Sequence, residues 1–131
     1  MELIQWEDRY LIGVKEIDAQ HTYFVTLVNE LHSKMQQHQI GEIKTEIVPK
    51  LVDYVRKHFG DEERIMRRHN YPGLQEQINA HQEILRNVEA IVNSSADAFP
   101  MAMKLMRLTT QWFLDHVLEY DLRLGTFLNS A

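Results

Sequence analysis

The stretch LVDYVRKHFGDEERIMRRHNYPG, residues 51–73, carries two readings at once. Leu51, Val52, Val55, Phe59 and Met66 recur at helical spacing, which predicts a helix over about 45–68 with one apolar face. HNYPG (69–73) ends it with a turn. Inside the same helix, His58 and Glu62 are four residues apart, so they share one face. They are either a surface ion pair or half of a metal site that faces the core. The rest of the chain decides between these.

Upstream, Phe24, Leu27, Val28, Leu31 and Met35 form another apolar stripe. A first helix is expected to begin near Asp18, placed to cap it, and to stop at Gly41. Pro49 argues that the second helix starts close before it, because proline is tolerated only in a first turn. Downstream, Ile78, His81, Leu85, Val88 and Val92 predict a third helix over about 74–93. Met101, Leu105, Leu108, Trp112 and His116 predict a fourth over about 100–120. SSADAFP (94–100) reads as a loop, and the tail after Asp121 as short. The N-terminal apolar residues Ile4, Trp6, Tyr10, Leu11, Ile12, Val14 and Ile17 lack a helical period and read as an arm packed on the body. Four helices, short links and no strand signal imply an all-α, up-down-up-down four-helix bundle with an N-terminal arm, as one domain over 1–131.

Composition narrows the function. The formal net charge of −5 and the lack of any Lys/Arg block speak against nucleic acid as a partner. No cysteine is present, which excludes disulfides, zinc-thiolate sites, iron–sulfur clusters and thiol nucleophiles. No signal peptide and no apolar run of membrane-spanning length are visible, so a soluble, cytoplasmic protein without membrane insertion is expected. The unusual feature is seven histidines.

Topology sorts those histidines. In an up-down-up-down bundle the start of helix one, the end of two, the start of three and the end of four share one end of the molecule. That rule brings His21, His58, His81 and His116 to one level, together with Glu62 and Asp121. His32 shares a face with His21 but lies eleven residues on, roughly 16 Å away along the axis. His38 and His69 sit in polar or turn segments, and all three read as solvated or structural. Singly, each of the clustered residues would be an ordinary core histidine or surface acid. Jointly, buried ionisable groups at one depth need a shared compensation, and a metal centre provides it. Imidazole and carboxylate without sulfur suit iron, manganese or zinc. On this reading Glu62 points inward, while Glu63, one residue round, faces out among the arginines.

These residues resemble the hemerythrin family in its stand-alone bacterial form. The N-terminal pattern W-x6-G-x3-I-D-x-Q-H appears as Trp6, Gly13, Ile17, Asp18, Gln20 and His21. H-F-x-x-E-E-x-x-M appears as His58, Phe59, Glu62, Glu63 and Met66, followed by Tyr71-Pro72. W-x3-H-x4-D appears as Trp112, His116 and Asp121. The resemblance spans nearly the whole chain.

The resemblance implies reversible binding of O₂ at two non-haem iron ions bridged by carboxylates and by an oxo or hydroxo group. It implies His21 and His58 as ligands of one iron, His81 and His116 as ligands of the other, and Glu62 and Asp121 as bridges. It implies an apolar gas pocket lined by Phe59, Trp112, Phe113 and Val117. Asp121 follows His116 by five residues, an imperfect helical spacing that calls for a slight bend of the helix end. The family's H-x3-H in helix three is here Gln77-Ile78-Asn79-Ala80-His81, so Gln77 stands where a fifth histidine is expected. Three arrangements follow: Gln77 ligates through oxygen, water replaces it, or the second metal binds weakly. The function implied is an O₂ carrier, store or sensor rather than an enzyme. The alternative is a diiron redox enzyme acting on peroxide or nitric oxide, made accessible by Gln77.

Overall fold

In the computed structural model, residues 3–94 and 97–130 are described. Helix α1 spans Lys15–Gln36. Helix α2 covers residues 40–68: a short turn Ile40–Glu42, a π-helical stretch Ile43–Ile47 and the α-helix Val48–Arg68. Helix α3 spans Leu74–Val92. Helix α4 covers residues 98–129 as α-helix Ala98–Trp112, π-helix Phe113–Asp121 and α-helix Leu122–Asn129. No strand occurs among the described residues. Ser95 and Ala96, inside the expected loop, lie outside the described residues, as do Met1 and Glu2 of the arm.

Each helix packs on its neighbours in sequence, and α1 packs on α4 to close the ring. Side-chain pairs set the register. Glu16 meets Arg64 while Gln20 meets His58, so α1 and α2 are antiparallel. Arg56 meets Glu89 while Glu62 meets His81, and Gln77 meets Asp121 while His81 faces His116. The result is the up-down-up-down bundle, held by a core that includes Phe24, Leu31, Leu51, Met66, Leu105 and Phe113, all fully enclosed. Burying each such side chain contributes on the order of 2 kcal/mol.

Several expected boundaries move, each for a local reason. Helix α1 begins at Lys15, and Val14 at its N-cap makes no side-chain cap. Asp18 instead accepts hydrogen bonds from the backbone N–H groups of Ile12 (2.8 Å) and Gly13 (3.2 Å), so it fastens the arm. The stop after α1 is His38, at φ 58°, rather than Gly41, which lies within the first turn of α2. The N–H of Gln39 reaches back to the Lys34 carbonyl, and this left-handed closure leaves no task for a glycine. The helix also runs through Pro49. The wider π turn directly before it, closed by Val48 N–H to the Ile43 carbonyl, precedes the position where proline supplies no donor.

The buried face of α3 is Gln77, His81, Ile84 and Val88, while Ile78, Leu85 and Val92 are only half-buried. The stripe is rotated by one position from the expected one. Its polar members are covered because they face the histidine cluster. The tail after Asp121 continues the helix to Asn129.

That extension and the arm hold each other. Gly125 is buried against the Ile12 backbone: a Cβ there would lie 2.0 Å from the Ile12 carbonyl oxygen. Asn129 donates to the carbonyls of Gly125 (2.8 Å) and Gly13 (3.2 Å), and Gly13 has φ 83°. Within the arm Ile4, Tyr10 and Ile12 are buried, while Leu11 is exposed. Asn29 pairs with both the N–H and the carbonyl of Ile4.

Candidate metal centre

All seven residues expected at the centre come together. His21, His58, Glu62, Gln77, His81, His116 and Asp121 are each at most 3% exposed. The sequence places them there by helix face. His58 and Glu62 lie one α-turn apart on α2, and His81 lies one turn from Gln77 on α3.

His116 and Asp121 need a different device. In an α-helix, five residues put side chains about 140° apart around the axis. Here the segment Phe113–Asp121 is a π-helix, whose repeat bonds residue i to i+5. The expected bend is therefore replaced by a widened turn. His116 Nε2 lies 3.3 Å from Asp121 Oδ1.

The two carboxylates each face two histidines with different oxygens. Glu62 Oε2 lies 3.3 Å from His58 Nε2, and Oε1 lies 3.2 Å from His81 Nε2. Asp121 Oδ2 lies 3.1 Å from His21 Nε2, and Oδ1 faces His116. Two donor groups result: His21, His58, Glu62 and Asp121, and Glu62, His81 and His116. Within each, the donor atoms lie within 4.8 Å of one another.

Charge and hydrogen bonding both suit the cluster to a cation. Burial acts most strongly on Asp121 and opposes its charge, yet His116 and His21 beside it hold its carboxyl well below the usual carboxylate range. Burial likewise opposes a charge on His21, but Asp121 and then Glu62 outweigh it and raise that imidazole above its ordinary value. Burial opposes a charge on His81 too, and Glu62 with Glu63 raises it. Two buried carboxylates thus demand positive charge from whatever stands beside them. Several facing atoms still lack an aligned hydrogen-bond partner: both ring nitrogens of His21, Nε2 of His58 and His116, Glu62 Oε2, Asp121 Oδ2 and Gln77 Oε1. Buried polar atoms are costly when left unpaired. Donors that approach within about 3.3 Å without aligning on one another are suited to a common third partner, and imidazole with carboxylate is a donor set for a metal cation such as iron, manganese or zinc.

Two orienting residues escape a reading by helix face. Gln20 Oε1 lies 2.6 Å from His58 Nδ1 and Glu63 Oε2 lies 2.8 Å from His81 Nδ1. Glu63 therefore turns toward the cluster and does not face out among the arginines; its side chain is 20% exposed. Two signals mark them in the sequence: each stands one residue from a candidate ligand, and each belongs to one of the matched motifs, which give it no role. Tyr54 adds a third support: its ring stacks on His58 and its hydroxyl donates to the Gln20 carbonyl.

Of the expected gas-pocket residues, Phe59, Phe113 and Val117 are buried and Trp112 is half-buried. Phe59 stacks on His81 at 4.0 Å between ring centres and meets Trp112 edge-on. Trp112 stacks on His116, and Phe113 meets His21 edge-on. Trp112 also borders an open cleft of about 270 Å³ that reaches His116. His32 is half-buried, and His38 and His69 are exposed, away from the cluster.

Comparison with known proteins agrees with this geometry. The chain is 28% identical over 120 residues to a bacteriohemerythrin of Stenotrophomonas maltophilia, covering 89% of this chain and 76% of that one. It is 27% identical over 121 residues to a bacteriohemerythrin of Pseudomonas aeruginosa, covering 92% and 78%. A bacteriohemerythrin of Campylobacter jejuni is 29% identical over 99 residues, covering 75% and 74%. No helix among the described residues is long and apolar enough to cross a membrane. The family model for the hemerythrin HHE cation binding domain matches residues 12–128, nearly the whole bundle, and the chain belongs to that family.

Proposed function

We propose that this chain is a non-haem diiron protein that binds O₂ reversibly, as a carrier, store or sensor. The observation that carries the reading is the split use of each buried carboxylate. Glu62 addresses His58 with one oxygen and His81 with the other, and Asp121 does the same for His21 and His116. On this reading His21 and His58 would hold one ion, His81 and His116 would hold the other, and Glu62 and Asp121 would serve both. Such a pair of ions, when bound, supplies reversible electron transfer to dioxygen.

The chain's own residues do the rest. Gln20 and Glu63 fix the ring orientations of His58 and His81 from behind, which selects the tautomer that leaves Nε2 free for the ligand side. Phe59, Phe113 and Val117 exclude water from the side of the cluster they cover, and a dry site disfavours proton leakage. Gln77 in place of an imidazole is the one observation that favours a second reading, redox turnover of peroxide or nitric oxide.

The test is anaerobic reconstitution with ferrous iron followed by alternating exposure to air and argon. A visible spectrum that appears in air and is lost under argon over repeated cycles is expected. Irreversible oxidation on first exposure would overturn reversible binding, and steady consumption of peroxide or nitric oxide would favour the second reading.

A further inference from the structure

The two donor groups are not equivalent. The tight group around His21 and His58 includes both carboxylates, whereas the one around His81 and His116 includes Glu62 alone and meets Asp121 at His116, whose Nε2 lies 3.3 Å from Oδ1. The side chain beside the poorer group is Gln77, 1% exposed on α3. Its Nε2 donates to Asp121 Oδ1 at 3.1 Å, and its Oε1 is buried without a partner. Charge dictates this orientation, because an ionised carboxylate only accepts and the amide must turn its N–H₂ toward it.

Two consequences follow. Asp121 Oδ1 is shared between the Gln77 amide and the side facing His116, while Oδ2 faces His21. The hydrogen bond draws electron density from the oxygen that serves the poorer group. The donor that Gln77 has left is a neutral amide oxygen, a weaker ligand for iron than imidazole. Glu63 behind His81 makes that ring a stronger donor, but it adds no ligand.

We infer that the two metal positions are unequal and fill in order: the His21/His58 position first and durably, the His81/His116 position second and labile, with Gln77 setting the difference. Occupancy of the second position then follows the supply of free ferrous iron. The inference rests on the diiron reading above.

Calorimetric titration of the whole metal-free chain with ferrous iron under argon, followed by dialysis against a competing chelator and metal analysis, tests it. Two binding steps at least about tenfold apart are expected, with about one ion per chain surviving dialysis. Gln77→His is expected to bring the steps together and to retain two ions. If that variant misfolds, Gln77→Glu, which places an anionic oxygen at the same point, is expected to narrow the gap in the same direction. A single step with two equally retained ions in the unaltered chain would overturn the inference. Unequal steps that persist in Gln77→His would overturn the role of Gln77. No iron bound at any concentration would instead overturn the diiron reading itself.

Discussion

Glu63 Oε2 lies 2.8 Å from His81 Nδ1, while Nε2 of the same ring faces Glu62 Oε1 at 3.2 Å. One imidazole is thus held between two consecutive carboxylates of α2. The outer one orients it and makes it a stronger donor, and the inner one shares its ligand side. Glu63→Gln keeps the size and a hydrogen-bonding group but removes the charge. Iron affinity is expected to fall about 10- to 100-fold, with helical content by circular dichroism unchanged. An unchanged affinity would reduce Glu63 to a surface residue.

The π-helical stretch Phe113–Asp121 makes a second prediction. Inserting one alanine after exposed Glu119 leaves Asp121 six residues from His116, a separation that neither an α nor a π turn brings onto one face. Asp121 then rotates by about 100° relative to His116, away from Glu62. The variant is expected to remain helical and to lose iron binding. A variant that still binds two ions would show that the widened turn does not matter to the site.

Gly125 supports the arm rather than the metal centre. The Cβ of Gly125→Ala would meet the Ile12 carbonyl oxygen at 2.0 Å, a backbone atom that cannot turn aside as a side chain would. Relief requires the arm to shift, and a loss of about 1–3 kcal/mol in urea unfolding is expected, with iron content per folded chain retained. A neutral substitution would mean that the arm is loosely held.

Tyr10 offers a test by pH. Burial and then the hydrogen bond to Glu7 raise its phenol above the ordinary value. For a group whose folded value is raised, the stabilisation is fully present below the unfolded value, about 10 for tyrosine, and is lost as pH rises through the folded value. Burial raises Tyr54 and Tyr71 as well, so ultraviolet titration is expected to show several tyrosines ionising late, with the late amplitude smaller by one residue in Tyr10→Phe. A loss of amplitude confined to the ordinary range near pH 10 would contradict the buried position.

Metal removal is expected to destabilise the fold, because four imidazoles and two carboxylates are then buried together without a cation. Ferrous iron added to the metal-free chain should raise Tm with concentration, by about 2.7 kcal/mol of stability at one hundred times Kd. A Tm indifferent to iron would show that the cluster compensates itself.

The parts legible in the sequence were those governed by one period and one rule. Stripes such as Leu51, Val55 and Phe59 marked the helices, and antiparallel depth matching brought His21, His58, His81 and His116 together. The parts that were not legible depend on departures from a regular helix. His116 and Asp121 share a face only because the backbone widens, which no α-helical wheel displays. Residues 122–129 remain helical because the arm gives them a partner, and that contact is tertiary. Gln77 is buried because of what it faces, not because it is apolar. Glu63 belongs to the centre through a side chain that turns back, a choice of rotamer rather than of helix face.

The central claim is that Glu62 and Asp121 each span two metal positions. Anomalous diffraction at the iron edge, from crystals loaded with ferrous iron under argon, tests it most directly. Two peaks are predicted, one among His21 and His58 and one among His81 and His116, with both carboxylates touching both. Two ions that share neither Glu62 nor Asp121, or iron bound away from these histidines, would contradict it.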